Sequence, residues 1–173
     1  TANANVTAKG ADADKTLTLN AAANTANTLT IVDGGEVAGD IAVTNAKSTV
    51  TVADAFTGTG EVKVTTADDD AVAINFGTST TGTRVVDSTA MSTASKALTL
   101  TGSDVVTLTS TNAAINASSY AGQIDATVTN TVDTNLQIGT ANANVKAKGE
   151  DADKTLTLNA AANTANTLTI VDG

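Results

Sequence analysis

Short runs that alternate apolar and polar residues fill most of this chain, and such alternation predicts β-strands. In each run the apolar side chains point to one face, while Thr, Asp or Lys points to the other. Gly, Asn, Asp and Ser dominate the connecting segments, such as VDGGEVAG (32–39) and GTSTTGT (77–83), which indicates turns. The predicted strands are TLTL (16–19), TLTIV (28–32), DIAV (40–43), TVTV (49–52), EVKV (61–64), AVAIN (71–75), ALTL (97–100), VTLT (106–109), IDATVT (124–129), LQI (136–138) and NVKAK (144–148).

The apolar residues of these runs define a predicted inward column of side chains. Its leading members are about 11 residues apart, a spacing typical of all-β proteins. The β-branched residues that predominate favour strands over helices. We expect the following residues to be buried in the column: Leu17, Leu19, Leu29, Ile31, Ile41, Val43, Val50, Val52, Val62, Val64, Val72, Ile74, Leu98 and Leu100.

Two all-β architectures fit this pattern, and a parallel β-solenoid or β-roll is favoured over an antiparallel β-sandwich. Aromatic residues make up 2% of the chain, and Trp and Pro are absent, so the core must be thin. A narrow column of stacked strands suits Val, Ile, Leu, Ala and Thr better than a sandwich interior, which usually buries an aromatic residue. In the solenoid, two or three strands would make one turn of about 22 or 33 residues.

The two ends of the chain carry nearly the same sequence. Residues 1–34 and 140–173 match at all positions except two, Thr7/Lys146 and Ala11/Glu150, which indicates tandem duplication. We therefore interpret residues 1–139 as one complete repeat unit and 140–173 as the start of the next, with both ends cut from a longer array. Leu156 and Leu158 are expected to repeat the exposure and direction of Leu17 and Leu19, displaced along one axis.

Composition and charge exclude several classes of function. The chain has no His and no Cys, which removes imidazole bases, thiol nucleophiles and most zinc and iron sites, so we expect no enzymatic activity. The net charge is −9 with nine scattered basic residues, which argues against a nucleic-acid partner. No apolar stretch approaches the roughly 20 residues of a membrane helix, so membrane insertion is not expected.

Acidic residues in the predicted turns are candidate calcium ligands. Asp68, Asp69 and Asp70 are consecutive, and Asp12 and Asp14 lie close together in another turn. Ca²⁺ takes six to eight oxygen ligands, and a bound cation would relieve the repulsion between adjacent carboxylates. The alternative is that these residues are solvated turn residues. Both interpretations stay open at the level of sequence.

Two segments resemble a known group of proteins. INASSYAGQIDATVT (115–129) and ALTLTGSDVVTLT (97–109), with Gly102 and Asp104 in a Gly-x-Asp turn, resemble rungs of bacterial S-layer proteins and of large type I-secreted surface proteins with RTX-like β-rolls. The resemblance implies an extracellular role in assembly or adhesion, often with calcium ordering the fold. It adds Asp104 to the candidate calcium ligands. The regular Gly-Gly-x-Gly-x-Asp nonapeptides of RTX proteins are present only as fragments, such as Gly34–Gly35 followed by Gly39–Asp40.

These observations favour a structural repeat protein on the bacterial cell surface. Repeat stacking and self-assembly would form a layer, filament or stalk, with other copies or neighbouring repeats as partners. The alternative is an adhesin or biofilm module that binds a host or matrix ligand, with a cell-surface polysaccharide as a candidate partner. Such a module usually presents an exposed aromatic residue, and only Tyr120 is expected to serve.

Overall fold

In the part of the chain that the structure describes, sixteen strands form two parallel sheets. The computed structural model describes residues 3–10, 12–23, 27–53, 57–67, 70–78, 82–91, 96–111, 114–129, 133–139, 142–149, 152–160 and 167–172. The first sheet contains β1 (Ala4–Gly10), β3 (Leu29–Val37), β5 (Thr49–Val52), β7 (Val72–Asn75), β9 (Ala97–Gly102), β11 (Ala114–Tyr120), β13 (Thr134–Ile138) and β15 (Leu156–Asn159), in that spatial order. The second sheet contains β2 (Thr16–Asn20), β4 (Asp40–Ala46), β6 (Glu61–Thr66), β8 (Thr83–Ser88), β10 (Val106–Ser110), β12 (Ile124–Thr129), β14 (Ala143–Lys148) and β16 (Leu168–Asp172), also in chain order.

The architecture is the predicted β-solenoid. Successive strands alternate between the sheets, and each strand pairs in parallel with the strand two positions along the chain, as in β6 with β8. Two strands therefore make one turn. Turn length varies, because the step along the chain from Val72 to its partner Leu98 is longer than the step from Leu98 to its partner Ile115. Parallel pairing throughout the described strands excludes the antiparallel sandwich.

The core is a thin double row of inward side chains between the two sheets. Twelve of the fourteen residues predicted for the inward column are buried. The prediction is wrong for Leu17, which is 39% exposed, and Leu19 is only partly buried. Both lie on β2, the strand at one edge of the second sheet, so no described turn covers them on their outer side. The buried core continues through Val106, Leu108 and other residues towards β14.

Relative to the predicted runs, the structure adds strands that include β8 and β11, and it extends others, of which β3 is the clearest case. β3 continues through Gly34 and Gly35, which we expected in a turn, and pairs with β1 as far as Val37. β8 was not predicted, because Arg84 stands at an inward position and breaks the apolar alternation. β11 was missed because its outward residues are Asn and Ser, which the sequence presents as turn residues. Backbone bonds also extend the ladders past strand ends, as from the Phe76 amide to the Thr101 carbonyl.

The two copies of the duplicated segment have the same local structure. β1 pairs with β3 and β14 pairs with β16 in the same register, Ala4 with Leu29 and Ala143 with Leu168. The Thr28 amide donates to Asn3 Oδ1 at 3.0 Å, and in the second copy the Thr167 amide donates to the matching Asn142 oxygen, also at 3.0 Å. The duplicated sequence therefore encodes a duplicated strand pair.

The two copies lie in opposite sheets, which corrects the expected simple displacement. β14 and β16 repeat β1 and β3 but belong to the second sheet, and β15 repeats β2 but belongs to the first. Strand β14 stands thirteen strands after β1, and an odd number of alternations between sheets moves each copied strand to the other sheet. Leu156 and Leu158, which are both partly buried, therefore lie in the first sheet, whereas Leu17 and Leu19 lie in the second. The relation between copies is a half turn about the stacking axis combined with a translation.

The burial of the inward column can be tested by replacing Leu with Asp at one buried position and at one exposed position. Leu29→Asp, at a site 6% exposed, should lower the free energy of unfolding by roughly 3 kcal/mol or more, because an unpaired carboxylate would lie among apolar side chains. Leu17→Asp, on the uncovered end strand, should cost about 1 kcal/mol or less. Denaturant unfolding followed by circular dichroism measures both. Equal losses would contradict the assignment of Leu29 to the core and Leu17 to the end.

Candidate functional site

The acidic residues proposed as calcium ligands do not converge in the described part of the chain. The Asp14 amide donates to Asp12 Oδ1 at 3.0 Å, an Asx turn, and both residues are exposed. Asp70 Oδ2 lies 3.6 Å from Lys47 Nζ. Asp68 and Asp69 lie outside the described residues. No group of three or more acidic side chains positioned to hold a metal ion occurs among the residues that are described.

Asp104 has a different environment from the other candidates, because it is buried beside a cation. Asp104 is 3% exposed and Arg84 is fully buried, and Asp104 Oδ2 lies 2.7 Å from Arg84 Nε. The hydroxyl of Tyr120, which is also fully buried, donates to the backbone carbonyl oxygen of Asp104 at 2.8 Å. This Asp–Arg–Tyr cluster ties three successive turns of the solenoid together.

Burial changes the ionisation of this cluster. It raises the pKa of Asp104, and the Arg84 guanidinium, which favours the carboxylate, offsets only part of that effect. Burial also raises the pKa of Tyr120, and the Asp104 charge adds to the increase. The side chains of all three residues are oriented inward, away from ligands in solvent. Tyr120 is therefore not the exposed aromatic residue that an adhesin surface was expected to present.

The cluster arises because two residues differ from those at the equivalent positions in neighbouring turns of the solenoid. Arg84 stands between Val62 and Val106 in the inward column of the second sheet. Two residues before each member of that column lies a corner position. This position is Gly before Arg84 and before Ile124, but it is Asp104 before Val106. The column reads Leu17, Ile41, Val62, Arg84, Val106, Ile124, and the corner positions read Lys15, Gly39, Gly60, Gly82, Asp104, Gly122.

The corner glycines are required by close stacking. A Cβ at Gly60 would clash with the carbonyl oxygen of Gly39, and a Cβ at Gly82, where φ is +78°, would lie 2.8 Å from two carbonyl oxygens. Asp104 occupies the corner position one turn after Gly82, and its carboxylate reaches the inward guanidinium of the preceding turn. The inward cation and the corner acid thus neutralise each other across two adjacent turns of the core.

The outer face of the first sheet is free of charge over most of its length. No strand from β5 to β15 in this sheet contains a charged residue within its described bounds. We call the outward side chains of these strands the neutral face. It consists of Thr49, Thr51, Ala73, Asn75, Ala97, Thr99, Thr101, Ala114, Asn116, Ser118, Asn135, Gln137, Thr157 and Asn159.

Two shallow grooves mark the neutral face. One, of about 300 Å³, runs beside Ala73 and Thr99 and is bordered at the corner by Lys47, and the other, of about 150 Å³, lies between Ala114 and Asn135. Alanine at these outward positions leaves space that the longer Thr, Asn and Gln side chains of neighbouring strands do not fill. Among the described residues, Lys47, Asp70, Lys96, Asp133 and Lys154 lie beside these strands at one corner and alternate in sign, and the buried Asp104 lies at the opposite corner.

The outer face of the second sheet carries charge on most of its strands. Asp40, Glu61, Asp87 and Asp125 point outward on β4, β6, β8 and β12. Lys63 Nζ lies 3.9 Å from Asp87 Oδ2, and the Asn144 side-chain amide donates to Asp125 Oδ1 at 2.7 Å. The two outer faces of one unit therefore differ in charge, although they share the same strand architecture.

Comparisons with protein-family models, with curated proteins and with solved structures found no match. In the part of the chain that the structure describes, no helix is long and apolar enough to cross a membrane.

Sequence reasoning missed both the buried cluster and the neutral face. The signal for the cluster was an arginine in a β-branched run, TRVVD, which was not among the predicted strands. The signal for the neutral face was the charge of alternate strands. EVKV and IDATVT carry charges, whereas TVTV, ALTL and LQI do not, and these two groups fall into different sheets.

The Arg84–Asp104 pair can be tested by restoring the residues of the neighbouring turn. Arg84→Val and Asp104→Gly should each lower the free energy of unfolding by about 3–5 kcal/mol, because each leaves one buried charge without its partner. The double variant reproduces Val62 and Gly82, which hold the same two positions one turn earlier, and should recover most of that loss. A double-mutant cycle by denaturant unfolding measures the coupling. Additive losses would show that the two residues do not act as a pair.

Proposed function

We propose that this chain is a mechanical element of an extracellular bacterial surface protein, in which stacked repeats form a filament, stalk or surface layer. The observation that carries the proposal is the reproduced pairing of the duplicated segment. Strand β14 meets β16 in the register of β1 and β3, and it is built directly on β12 of the preceding unit. A further unit can therefore be added through the same parallel ladder that joins turns within one unit.

The charge distribution supports a structural role over a binding site for one small molecule. The described grooves are shallow and are lined mostly by short uncharged side chains, and the buried Arg84–Asp104 pair is enclosed in the core. A surface location is supported by the resemblance of residues 97–109 and 115–129 to rungs of S-layer and RTX-like proteins. The net charge of −9 keeps a long acidic rod soluble outside its assembly contacts.

Repeat stacking predicts how the length of the protein grows. One additional unit equivalent to residues 1–139 contributes thirteen strands to two sheets, so at about 4.8 Å per layer the rod should lengthen by about 31 Å at constant cross-section. Small-angle X-ray scattering of this chain and of a chain with one more unit measures the difference. Two bodies joined by a flexible link, or an unchanged length, would contradict the stacked array.

Calcium is proposed as an ordering ion for the acidic sequence at residues 68–70. Three consecutive carboxylates repel one another, and a cation bound to the folded chain would stabilise it by mass action. Millimolar Ca²⁺ should raise the melting temperature, and Asp69→Asn should weaken this response, whereas Asp125→Asn on the outer face of the second sheet should not. Calorimetry in chelator and in calcium measures both. Superimposable melting curves would leave a metal-independent scaffold.

A further inference from the structure

We propose that the neutral face is a lateral docking surface for a second copy of this chain. The inference rests on the proposed structural function and specifies which surface joins one rod to another. A chain with a net charge of −9 repels its own copies, and this repulsion is strongest where charges face each other. The outward side chains of the first-sheet strands from β5 to β15 carry no charge, so two copies can approach there without placing like charges together.

The chemistry of the neutral face suits contact with itself. Thr, Ser, Asn and Gln each donate and accept hydrogen bonds, so the same side chains can serve both partners of a two-fold contact. Both surfaces also have the strand spacing of a parallel sheet, about 4.8 Å, so rows of one copy match rows of the other. The alanine grooves beside Ala73 and Ala114 provide recesses into which the longer Thr and Asn side chains of a partner fit.

The size of the face indicates a contact that gains strength from repetition. Six strands at about 4.8 Å and a strand length of about 15 Å give a projected area of roughly 430 Å². A stable protein–protein interface buries about 800 Å² on each partner, so one face supports only a weak contact. Repeat units joined in one rod would bring several such faces together, and their linkage raises the overall affinity without new contacts.

The half turn between copies places such faces on both sides of a rod. Strand β15, in the second copy, lies in the first sheet, whereas its equivalent β2 lies in the second. By continuation, the uncharged strands of the second unit fall on the side where the first unit carries Asp40, Glu61 and Asp125. Each side of the rod would then alternate neutral and charged stretches of about 31 Å.

Cysteine cross-linking tests this docking surface cleanly, because the chain contains no Cys. Thr99→Cys lies near the centre of the neutral face, and Thr127→Cys is a half-buried outward position on the second sheet, matched in burial and residue type. Under mild oxidation the Thr99→Cys chain should form disulfide-linked dimers at least about ten times faster than the Thr127→Cys chain. Equal rates, or faster dimer formation by Thr127→Cys, would overturn the proposal.

A charge substitution provides a second measurement that does not depend on thiol chemistry. Thr99→Lys and Thr127→Lys both reduce the net negative charge by one, which by itself favours association. We expect Thr99→Lys nevertheless to weaken self-association in sedimentation equilibrium, because it places an unpaired cation in the contact, while Thr127→Lys does not weaken it. Association that is unaffected by Thr99→Lys would overturn the proposal.

The same experiments separate this proposal from the function on which it rests. If added units lengthen the rod by about 31 Å but Thr99→Cys does not cross-link, the stacked filament stands and the lateral contact is rejected. If the rod does not lengthen, the structural function itself fails. Protection of the Thr99→Cys thiol by dextran, with no dimer formed, would assign the neutral face to a glycan and would also overturn the self-contact.

Discussion

The whole molecule depends on parallel stacking of each turn on the one before it. Every inward side chain must rest on the side chain at the same position in the neighbouring turn, so the core tolerates a narrow range of shapes. Val, Ile, Leu and Ala meet this requirement because they fill a thin column without polar groups to satisfy. Arg84 meets it only because Asp104 replaces the expected corner glycine and supplies a carboxylate 2.7 Å away. An inward charge is thus admitted as a pair, across two adjacent turns, and not as a single residue.

The sequence was sufficient to predict the class of fold and most of the core. Alternating runs such as TVTV and EVKV are strands with the predicted inward faces, and the poverty in aromatic residues correctly favoured a solenoid. Local pattern was insufficient at the ends and at irregular turns. Leu17 has the same local sequence as a core residue, but its exposure depends on the absence of a covering turn among the described residues. The strand at Arg84 was missed because its compensating residue, Asp104, belongs to the next turn and lies beyond the reach of a local pattern.

The relation between the repeated segments could not be predicted for a different reason. Whether a copied strand returns to the same sheet depends on whether the unit contains an even or an odd number of strands. One missed strand reverses the answer, and the sequence pattern missed both β8 and β11. The neutral face shares this dependence, since it exists because the uncharged strands from β5 to β15 fall in one sheet and most charged strands fall in the other. A shift by one strand in the middle of the unit would mix the two groups and leave both faces charged.

Strand parity also determines what kind of assembly a long array can build. With an even number of strands, every unit would present its neutral face on one side, and two rods could satisfy each other completely as a closed pair. An odd number places neutral faces on alternate sides, so a rod that has docked on one side still presents unsatisfied faces on the other. Association then continues laterally, as an open two-dimensional layer requires, while the charged stretches fix the spacing at which neighbouring rods can lie side by side. Under the proposed function and lateral contact, the step from filament to layer would follow from the half turn between units, without a second type of interface.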